Sequence, residues 1–286
     1  MRLCPKCDQP SLAATCGNCG HTVETSDGFE LYAPQGAQRG NGYDPAIYSE
    51  LASLEDRNFW FCARNRLIVH RARRHFPSAR SILEIGCGTG QVLRALAAAF
   101  PDACLHGSEL FVEGLPFARA RAPDARLMQM DATHIPFEDE FDLIGAFDVI
   151  EHIHEDELVL SRVHRALKRG GGVIVTVPQH PRLWSHQDEL ARHVRRYRRG
   201  ELEEKLRRAG FRVIYSTSFV TVLLPLLVLS RRAMSRKDSD PLHEMRIGRV
   251  ANALLAAALA AEFGLLCSGA RLPIGGSRLV LAVKDS

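Results

Sequence analysis

Residues 81–90 read SILEIGCGTG, and this segment is the strongest indication of the fold of the chain. Its apolar residues Ile82, Leu83 and Ile85 are typical of a short strand that is buried on both faces of a sheet. Glycines then occupy every second position, and a helix-like run follows at 91–100. A strand, a glycine turn and a helix predict the first unit of an α/β nucleotide-binding domain, because so tight a turn needs backbone without Cβ atoms.

The spacing of the glycines, together with Glu84, distinguishes two kinds of nucleotide site. Dinucleotide sites favour GxGxxG, whereas residues 86–90 read GxGxG and Glu84 lies two positions before them. A negative charge so close disfavours a pyrophosphate and suits the cationic amino-acid end of S-adenosylmethionine (SAM). Residues 83–90 resemble the first motif of class I SAM-dependent methyltransferases at every position. The resemblance implies SAM contacts from Glu84, Gly86, Cys87, Gly88 and Gly90.

Acidic residues follow the next two predicted strands. Glu109 ends a strand at 103–109, where a carboxylate can accept hydrogen bonds from both ribose hydroxyls. Asp131 follows a strand at 126–130, and the methyltransferase resemblance implies that it binds the adenine amino group. The remaining predicted cofactor residues on the strand ends are Leu110, Ala132 and Asp148.

We predict the methyl acceptor at the end of the fourth strand, 141–148, because ligands of such sheets bind at the carboxyl ends of strands. Asp148 is followed there by Glu151 and His152. Two carboxylates and an imidazole could hold a divalent metal. A similar run holds a metal in ubiquinone-pathway and small-RNA methyltransferases. Many other relatives carry Glu-His without one, so a metal-free site is the alternative.

A long loop, 179–199, follows the predicted fifth strand at 173–178. It contains His186 and His193, and either could act as a general base because imidazole titrates near neutral pH. A surface or structural role for each histidine is the alternative. The candidate catalytic residues are therefore Asp148, His152, His186 and His193.

Cys4, Cys7, Cys16 and Cys19 form two CxxC pairs near the start of the chain. Four thiolates on two tight turns predict a closed tetrahedral zinc site, and the segment resembles a zinc ribbon. Two disulfides are the alternative, although they are rare in cytosolic proteins. A closed site has no open position for chemistry, so we expect structural zinc that serves folding or docking.

The chain divides into three predicted parts. Residues 1–25 form the zinc ribbon, 26–44 a glycine-rich and proline-rich linker, and 45–286 the methyltransferase domain. The expected fold is α/β, a Rossmann-like seven-stranded sheet with a helical leader at 45–75 and an antiparallel last strand. Residues 219–271 are predicted as a helical insert that overhangs the acceptor mouth. An apolar pocket, a dimer face, contact with a membrane surface and plain packing on the domain are its alternative roles.

The 286 residues are 46% hydrophobic and 24% charged, which is ordinary for a soluble globular protein. A net charge of +4 is too small to indicate a nucleic-acid partner by itself. We expect no secretory signal, because the first residues are charged and cysteine-rich, and no membrane span, because residues 250–267 contain Asn252 and Glu262. A cytoplasmic protein is expected, with association to a membrane surface as the alternative.

Together these features predict methyl transfer from SAM to an undetermined acceptor, small or lipid-like and hydrophobic, at oxygen. Alignment of the acceptor with the sulfonium methyl group would be the main task of the protein. One alternative is an RNA methyltransferase that docks RNA through its zinc ribbon, which is not favoured because we see no aromatic and basic stacking platform. Another is a non-catalytic, SAM-binding scaffold. The oligomeric state is not indicated.

Overall fold

A computed structural model describes residues 1–35, 47–233, 240, 242 and 245–285. Strands and helices alternate through most of the chain. The strands are β1 (Glu24–Ser26), β2 (Phe29–Leu31), β3 (Ser81–Ile85), β4 (Cys104–Glu109), β5 (Arg126–Gln129), β6 (Phe141–Phe147), β7 (Leu167–Pro178), β8 (Phe211–Phe219) and β9 (Ser277–Lys284). The helices are α1 (Tyr48–Glu55), α2 (Phe59–His75), α3 (Gln91–Ala99), α4 (Leu115–Arg121), α5 (Asp156–Ala166), α6 (His186–Leu190), α7 (Glu201–Arg208), α8 (Leu224–Ala233) and α9 (Arg249–Cys267).

The strands form one nine-stranded sheet in the order β1-β2-β5-β4-β3-β6-β7-β9-β8. Neighbours from β2 to β7 run parallel, whereas β9 is antiparallel to both β7 and β8. The seven strands β3–β9 confirm the predicted Rossmann-like sheet with its antiparallel last strand. Because β4, β3 and β6 are adjacent and parallel, their carboxyl ends lie at the same edge of the sheet.

Alternate side chains of the central strands pack into two cores. Leu83 and Ile144 face α5 and α7, whereas Ile82 and Leu143 face α2, α3 and α9. This alternation follows the two-residue period of a strand. Helices thus cover both faces, which is why most residues of β3 and β6 are apolar.

The N-terminal segment is joined to the sheet more closely than predicted. The predicted linker 26–44 begins inside the β1–β2 hairpin, and Glu30 of β2 pairs with Met128 of β5. The rest of that prediction, from residue 36, lies outside the described residues. Leu3 also donates a backbone hydrogen bond to Pro136 at 2.9 Å. The hairpin covers an edge of the sheet that would otherwise present unpaired backbone groups, so this correction has a physical reason.

Two predicted helix boundaries are also corrected. The predicted leader 45–75 contains two helices within its described part, which begins at residue 47. They are separate because Asn58 is extended and its side chain accepts a hydrogen bond from Trp60 N–H at 2.9 Å, capping α2. Helix α5 ends at Ala166, and the following strand begins at Leu167 rather than at 173. Leu167 pairs with Phe141 of β6, so sheet pairing begins directly after α5.

The predicted insert at 219–271 contains helices α8 and α9 within its described residues. Arg71 of α2 donates to the Leu266 carbonyl of α9 at 2.7 Å, which fixes the end of that helix. Glu262 of α9 is buried and accepts hydrogen bonds from Thr221 N–H and Val222 N–H at 2.7 and 2.9 Å. These bonds attach the insert to the leader and to the end of β8.

Gly90 and Gly200 offer a matched test of backbone constraint. Both have positive φ, +80° and +84°, but a Cβ at 90 would lie 2.6 Å from Ala118 Cα, whereas no described atom lies within 4 Å of a Cβ at 200. We expect Gly200→Ala to lower the free energy of unfolding by about 1–2 kcal/mol, and Gly90→Ala by about 2–5 kcal/mol because overpacking adds to strain. Urea unfolding would measure both free energies. Equal losses in the two variants would contradict the close packing of Gly90 against Ala118.

Candidate functional site

A cavity of about 1250 Å³ opens at the carboxyl ends of β3, β4, β5 and β6. It runs from the glycine turn after β3 to the helical insert before β9. Ligands of parallel α/β sheets bind at this edge because loops there can vary without changing the core. The cavity is therefore the candidate site.

The glycine turn lines one end of the cavity through Gly86, Cys87 and Gly88. Gly86 has a φ of +65°, and a Cβ there would lie 2.5 Å from a methyl carbon of Val149. The cavity lining does not include Gly90, which instead allows α3 to approach α4. Four residues of this turn were predicted to contact SAM. Gly90, one of them, has a packing role instead.

Glu84 lies at the end of β3 and lines the cavity, although only 2% of it is exposed. Its Oε2 has no hydrogen-bond partner among the described residues. Burial raises the pKa of Glu84 well above its ordinary value, while the Arg64 charge opposes that shift. A buried carboxyl oxygen without a partner fits a cationic ligand group, because such a group would supply the missing interaction.

Glu109 is held at the glycine turn by backbone N–H groups. Its Oε2 accepts from Gly88 N–H at 2.9 Å, and its Oε1 accepts from Leu110 N–H at 2.8 Å and Phe111 N–H at 3.3 Å. Burial raises the pKa of this carboxyl, and the same N–H groups oppose the rise. The tip of β4 and the glycine turn are thereby locked together next to the cavity.

Asp131, after β5, lines the same end of the cavity together with Leu110 and Ala132. One oxygen of Asp131 accepts from the Thr133 backbone N–H and hydroxyl, both at 2.8 Å. The strand ends therefore bring the predicted cofactor residues together, with the exception of Gly90. The acids stand at three successive positions along the cavity wall, where a nucleoside with several donor groups can be bound.

Helix α1 of the leader closes over this end. Glu55 forms an ion pair with Arg121 at 2.6 Å and also accepts a hydrogen bond from the Thr89 hydroxyl. Arg121 further donates to the Ala52 carbonyl at 2.7 Å, and Tyr48 of the same helix lines the cavity. The sequence did not predict these contacts of α1 with the glycine turn and α4. The sequence predicted only a helical leader at 45–75, and the spacing of its residues cannot show which charges meet.

Asp148, after β6, has a φ of +58°, which is uncommon for a residue with a side chain. Its Oδ2 accepts from Arg64 at 2.7 Å and from the Thr176 hydroxyl at 3.1 Å. Arg64 in turn lies 4.7 Å from the centre of the Trp60 ring. Asp148 thus connects the leader to the sheet, and Arg64 is a site residue that sequence analysis did not identify.

The acceptor end contains a cluster that only partly matches the prediction. Ligand atoms of Glu151, His152 and His193 lie within 4.8 Å of one another, and Asp148 is not in this group. Burial, followed by the charge of His193, lowers the pKa of His152 to about 3. His186 contacts Glu189 at 3.0 Å and is absent from the cavity lining. The structure therefore brings together His152 and His193 but leaves His186 outside.

Asp188 anchors the loop that carries His193. It accepts from His193 Nδ1 at 2.9 Å and from Arg196 Nε at 2.7 Å. The pKa of Asp188 falls to about 2 because these hydrogen bonds and cations outweigh its burial, which acts in the opposite direction. The sequence predicted a long loop at 179–199 but no role for Asp188, because that role depends on the folding of the loop.

The insert also lines the cavity, and its Arg231 lies 3.5 Å from Asp188. Its cavity-lining residues are mostly apolar: Val220, Leu223, Leu226, Leu227, Ser230, Arg231, Met245, Ile247 and Leu255. Val220 has a φ of +59°, a strained conformation for a β-branched residue. The insert thus borders the cavity, and its position over the acceptor mouth stays a prediction.

The four N-terminal cysteines form a separate cluster outside the cavity lining. The sulfur atoms of Cys4 and Cys19 lie 3.7 Å apart, as do those of Cys7 and Cys16, and all four lie within 4.8 Å of one another. Backbone N–H groups after Cys16 lower the pKa of its thiol to about 6. Four converging thiols with N–H donors fit a closed zinc site, because zinc binds thiolates and the donors stabilise their charge.

The strand order and the acids at successive strand ends define the fold class of class I SAM-dependent methyltransferases. A family described as a methyltransferase domain matches residues 56–216, more than half of the chain. The chain belongs to that family.

Curated relatives carry related names. The chain is 28% identical over 166 residues to a probable S-adenosylmethionine-dependent methyltransferase of Mycolicibacterium smegmatis. This match covers 57% of this chain and 63% of the relative. It is 33% identical over 108 residues to trans-aconitate 2-methyltransferase of Variovorax paradoxus, 37% of this chain and 42% of the relative. It is 29% identical over 137 residues to demethylmenaquinone methyltransferase of Chlorobaculum tepidum, 47% and 54%. The match spans less than two thirds of each relative.

Solved structures share the fold at low identity. The [4+2]-cyclase SpnF has a TM-score of 0.59 and 20% identity, with 88% of this chain and 98% of that chain covered. Phosphoethanolamine N-methyltransferase 2 of Haemonchus contortus, solved in complex with SAM, has a TM-score of 0.52 and 24% identity, with coverages of 78% and 53%. These likenesses show the fold alone.

If Glu84 binds the ammonium group of SAM, we expect the affinity for SAM to depend on pH. Its raised pKa means that it is protonated in the free protein below that pKa, whereas a bound ammonium group favours the carboxylate. Binding then releases a proton, so the affinity for SAM should rise with pH, by up to about tenfold per unit, and level off above the raised pKa.

Calorimetry from about pH 5 to about pH 8 would measure this slope. Glu84→Gln should flatten it. Glu155→Gln, at an exposed glutamate on the acceptor side of the cavity, should keep it. An unchanged slope in Glu84→Gln would show that another group carries the proton.

Zinc in the cysteine cluster should stabilise the protein without serving the cavity. We expect Cys16→Ser to lose one equivalent of zinc and to lower the Tm by at least about 4 °C, or ~2 kcal/mol for a domain of this size. Cys104→Ser, at an exposed cysteine outside the cluster, should keep both. Metal analysis and thermal unfolding would measure the effects. Retention of zinc by Cys16→Ser would contradict the assignment.

Proposed function

We propose that this protein transfers a methyl group from SAM to an oxygen of a small or lipid-like hydrophobic acceptor. The observation that carries the proposal is one continuous cavity with two chemically different ends. Glu84, Glu109 and Asp131 line one end, and the mostly apolar insert lines the other. Membership of the methyltransferase-domain family supports the SAM half of the proposal.

The chain's own residues bind and orient. Glu84 takes the amino-acid ammonium group, Glu109 the ribose and Asp131 the adenine, each from the end of a different strand. When bound, SAM supplies an electrophilic methyl carbon: the acceptor oxygen bonds to it, the carbon–sulfur bond breaks with its electron pair returning to sulfur, and the hydroxyl proton goes to water. The Arg64–Asp148 pair, at 2.7 Å, fixes the wall between the two ends. Positioning is thus the main contribution of the protein.

The acceptor half depends on the chemistry of the insert. Leu223, Leu227 and Leu255 offer an apolar wall facing the polar end of the cavity. A hydrophobic acceptor gains free energy there by leaving water, at roughly 25 cal/mol per Å² of apolar surface buried. Relatives named for trans-aconitate and demethylmenaquinone support a small-molecule class of acceptor.

The outer face of the insert supports contact with a membrane surface. Helix α9 is long and apolar enough to cross a membrane by length and composition alone, and only 17% of it is buried in the structure. Val250 and Leu254 are 77% and 68% exposed. However, Glu262 caps backbone N–H groups of the domain, and Arg71 binds the helix end. We infer that α9 lies along a bilayer surface with its outer face in the lipid, rather than crossing it.

Methyl transfer itself needs a direct test, because a [4+2]-cyclase shares this fold. Purified protein would be incubated with SAM labelled on its methyl group and with separate lipid, small-molecule, RNA and protein fractions of cells. We expect label in the lipid or small-molecule fraction, and none with Glu109→Ala. Label in RNA alone would overturn the acceptor class. SAM binding without label in any fraction would support a non-catalytic scaffold.

The membrane contact predicts a difference between acceptor preparations. Leu254→Asp should lower methylation of a lipid-phase acceptor in anionic vesicles at least about tenfold, because a charge on the outer face of α9 opposes insertion. The same variant should be fully active on acceptor dispersed in detergent. Leu12→Asp, at an 86% exposed leucine of the cysteine-rich segment, is the matched control and should be unaffected. Equal activity of Leu254→Asp on vesicles would exclude the contact.

A further inference from the structure

We propose that Glu151, His152 and His193 bind a divalent transition-metal ion at the acceptor end of the cavity. One ligand atom from each residue lies within 4.8 Å of the others. Atoms that share an ion at bond lengths of about 2.0–2.2 Å are separated by roughly 3–4 Å, so small side-chain movements complete the site. An acidic and two imidazole ligands suit zinc, iron, cobalt and related ions.

Glu151 provides an independent indication of a ligand. Its residue exposure is 0%, yet the residue is part of the cavity lining. Neither carboxyl oxygen has a hydrogen-bond partner among the described residues. A buried carboxylate without partners is costly, and a bound cation removes that cost. The side chain is therefore placed as a ligand rather than as part of a hydrogen-bond network.

Asp188 orients the second imidazole. Its Oδ1 accepts a hydrogen bond from His193 Nδ1 at 2.9 Å, so Nε2 is the ring nitrogen that can bind a metal. Asp188 is itself fixed by Arg196 Nε at 2.7 Å and by Ser185 N–H at 2.9 Å. A carboxylate that holds the far nitrogen of a histidine is the usual support for metal-bound imidazole.

The backbone holds the two halves of the cluster together. Val194 N–H donates to the Glu151 carbonyl at 2.8 Å, directly after His193. The rings of His152 and His193 meet edge to face, with centres 4.8 Å apart. The loop after β7 is thus fastened to the turn after β6 at the position where the three ligands converge.

Asp148 does not belong to the site, although it precedes Glu151 by one turn of chain. Its Oδ2 is already bound by Arg64 at 2.7 Å and by the Thr176 hydroxyl at 3.1 Å. A cation next to this pair would compete with the Arg64 guanidinium. The sequence predicted Asp148, Glu151 and His152 as possible metal ligands. In the proposed site, His193 takes the place of Asp148.

Three protein ligands leave coordination positions open toward the cavity. If the proposed function holds, an acceptor hydroxyl bound there loses its proton to water more readily, because a metal lowers the pKa of a bound oxygen. His193 then acts as a ligand rather than as a general base. The metal site is testable without methyl transfer, so failure of one proposal can be told from failure of the other.

The test uses the full chain with zinc already bound at the cysteine cluster. Co²⁺ is titrated into this protein, and its visible spectrum distinguishes nitrogen and oxygen ligands from thiolates, which give charge-transfer bands. We expect one Co²⁺ per chain with a spectrum free of thiolate bands. Absence of binding, or a spectrum of the thiolate type only, overturns the proposal.

Variants identify the ligands. Glu151→Gln and His193→Ala should weaken Co²⁺ binding at least about 100-fold, and the positioning variant Asp188→Asn by about 10–100-fold. His186→Ala, in the same loop but absent from the cavity lining, is the matched control and should bind as the parent protein does. SAM affinity, measured on each variant, reports whether the fold is intact. Equal Co²⁺ affinity in folded Glu151→Gln, which means an adventitious ion only, overturns the site.

Discussion

The structure depends on burying carboxyl groups at the edge of an apolar sheet. Glu84, Glu109 and Glu151 are each less than 9% exposed, and burial raises the pKa of each. A buried carboxyl without a partner opposes folding, because its charge is poorly solvated in the interior. The neighbouring elements are arranged to supply partners, or to leave room for a ligand that does.

The three acids meet this constraint in different ways. Glu109 has backbone N–H donors from the glycine turn and from its own strand end. Glu84 keeps one oxygen without a partner among the described residues, which fits a cationic cosubstrate group. Glu151 keeps both oxygens without one, which fits a metal ion. Both residues are part of the cavity lining, so ligands bound there would supply the missing interactions.

Two added segments turn this edge into an enclosed site. The leader brings Glu55 and Arg64 to the glycine turn and to the tip of β6, where they form ion pairs that are largely shielded from water. The insert closes the opposite side with leucines and is itself anchored by Glu262. The sheet is shared with proteins of differing chemistry, whereas in the proposed function these two segments determine what can reach the methyl group.

The sequence alone determined the sheet, the glycine turn and the acids of the cofactor end, because local periodicity and a contiguous motif specify them. It also determined the cysteine pairs, whose spacing is local. Three contacts became visible only in the folded chain. The 26–44 segment begins in a hairpin on the sheet, Arg64 forms an ion pair with Asp148, and His193 rather than His186 lies next to Glu151. These contacts join residues far apart in the chain, and their geometry depends on how loops and added helices pack, which periodicity does not encode.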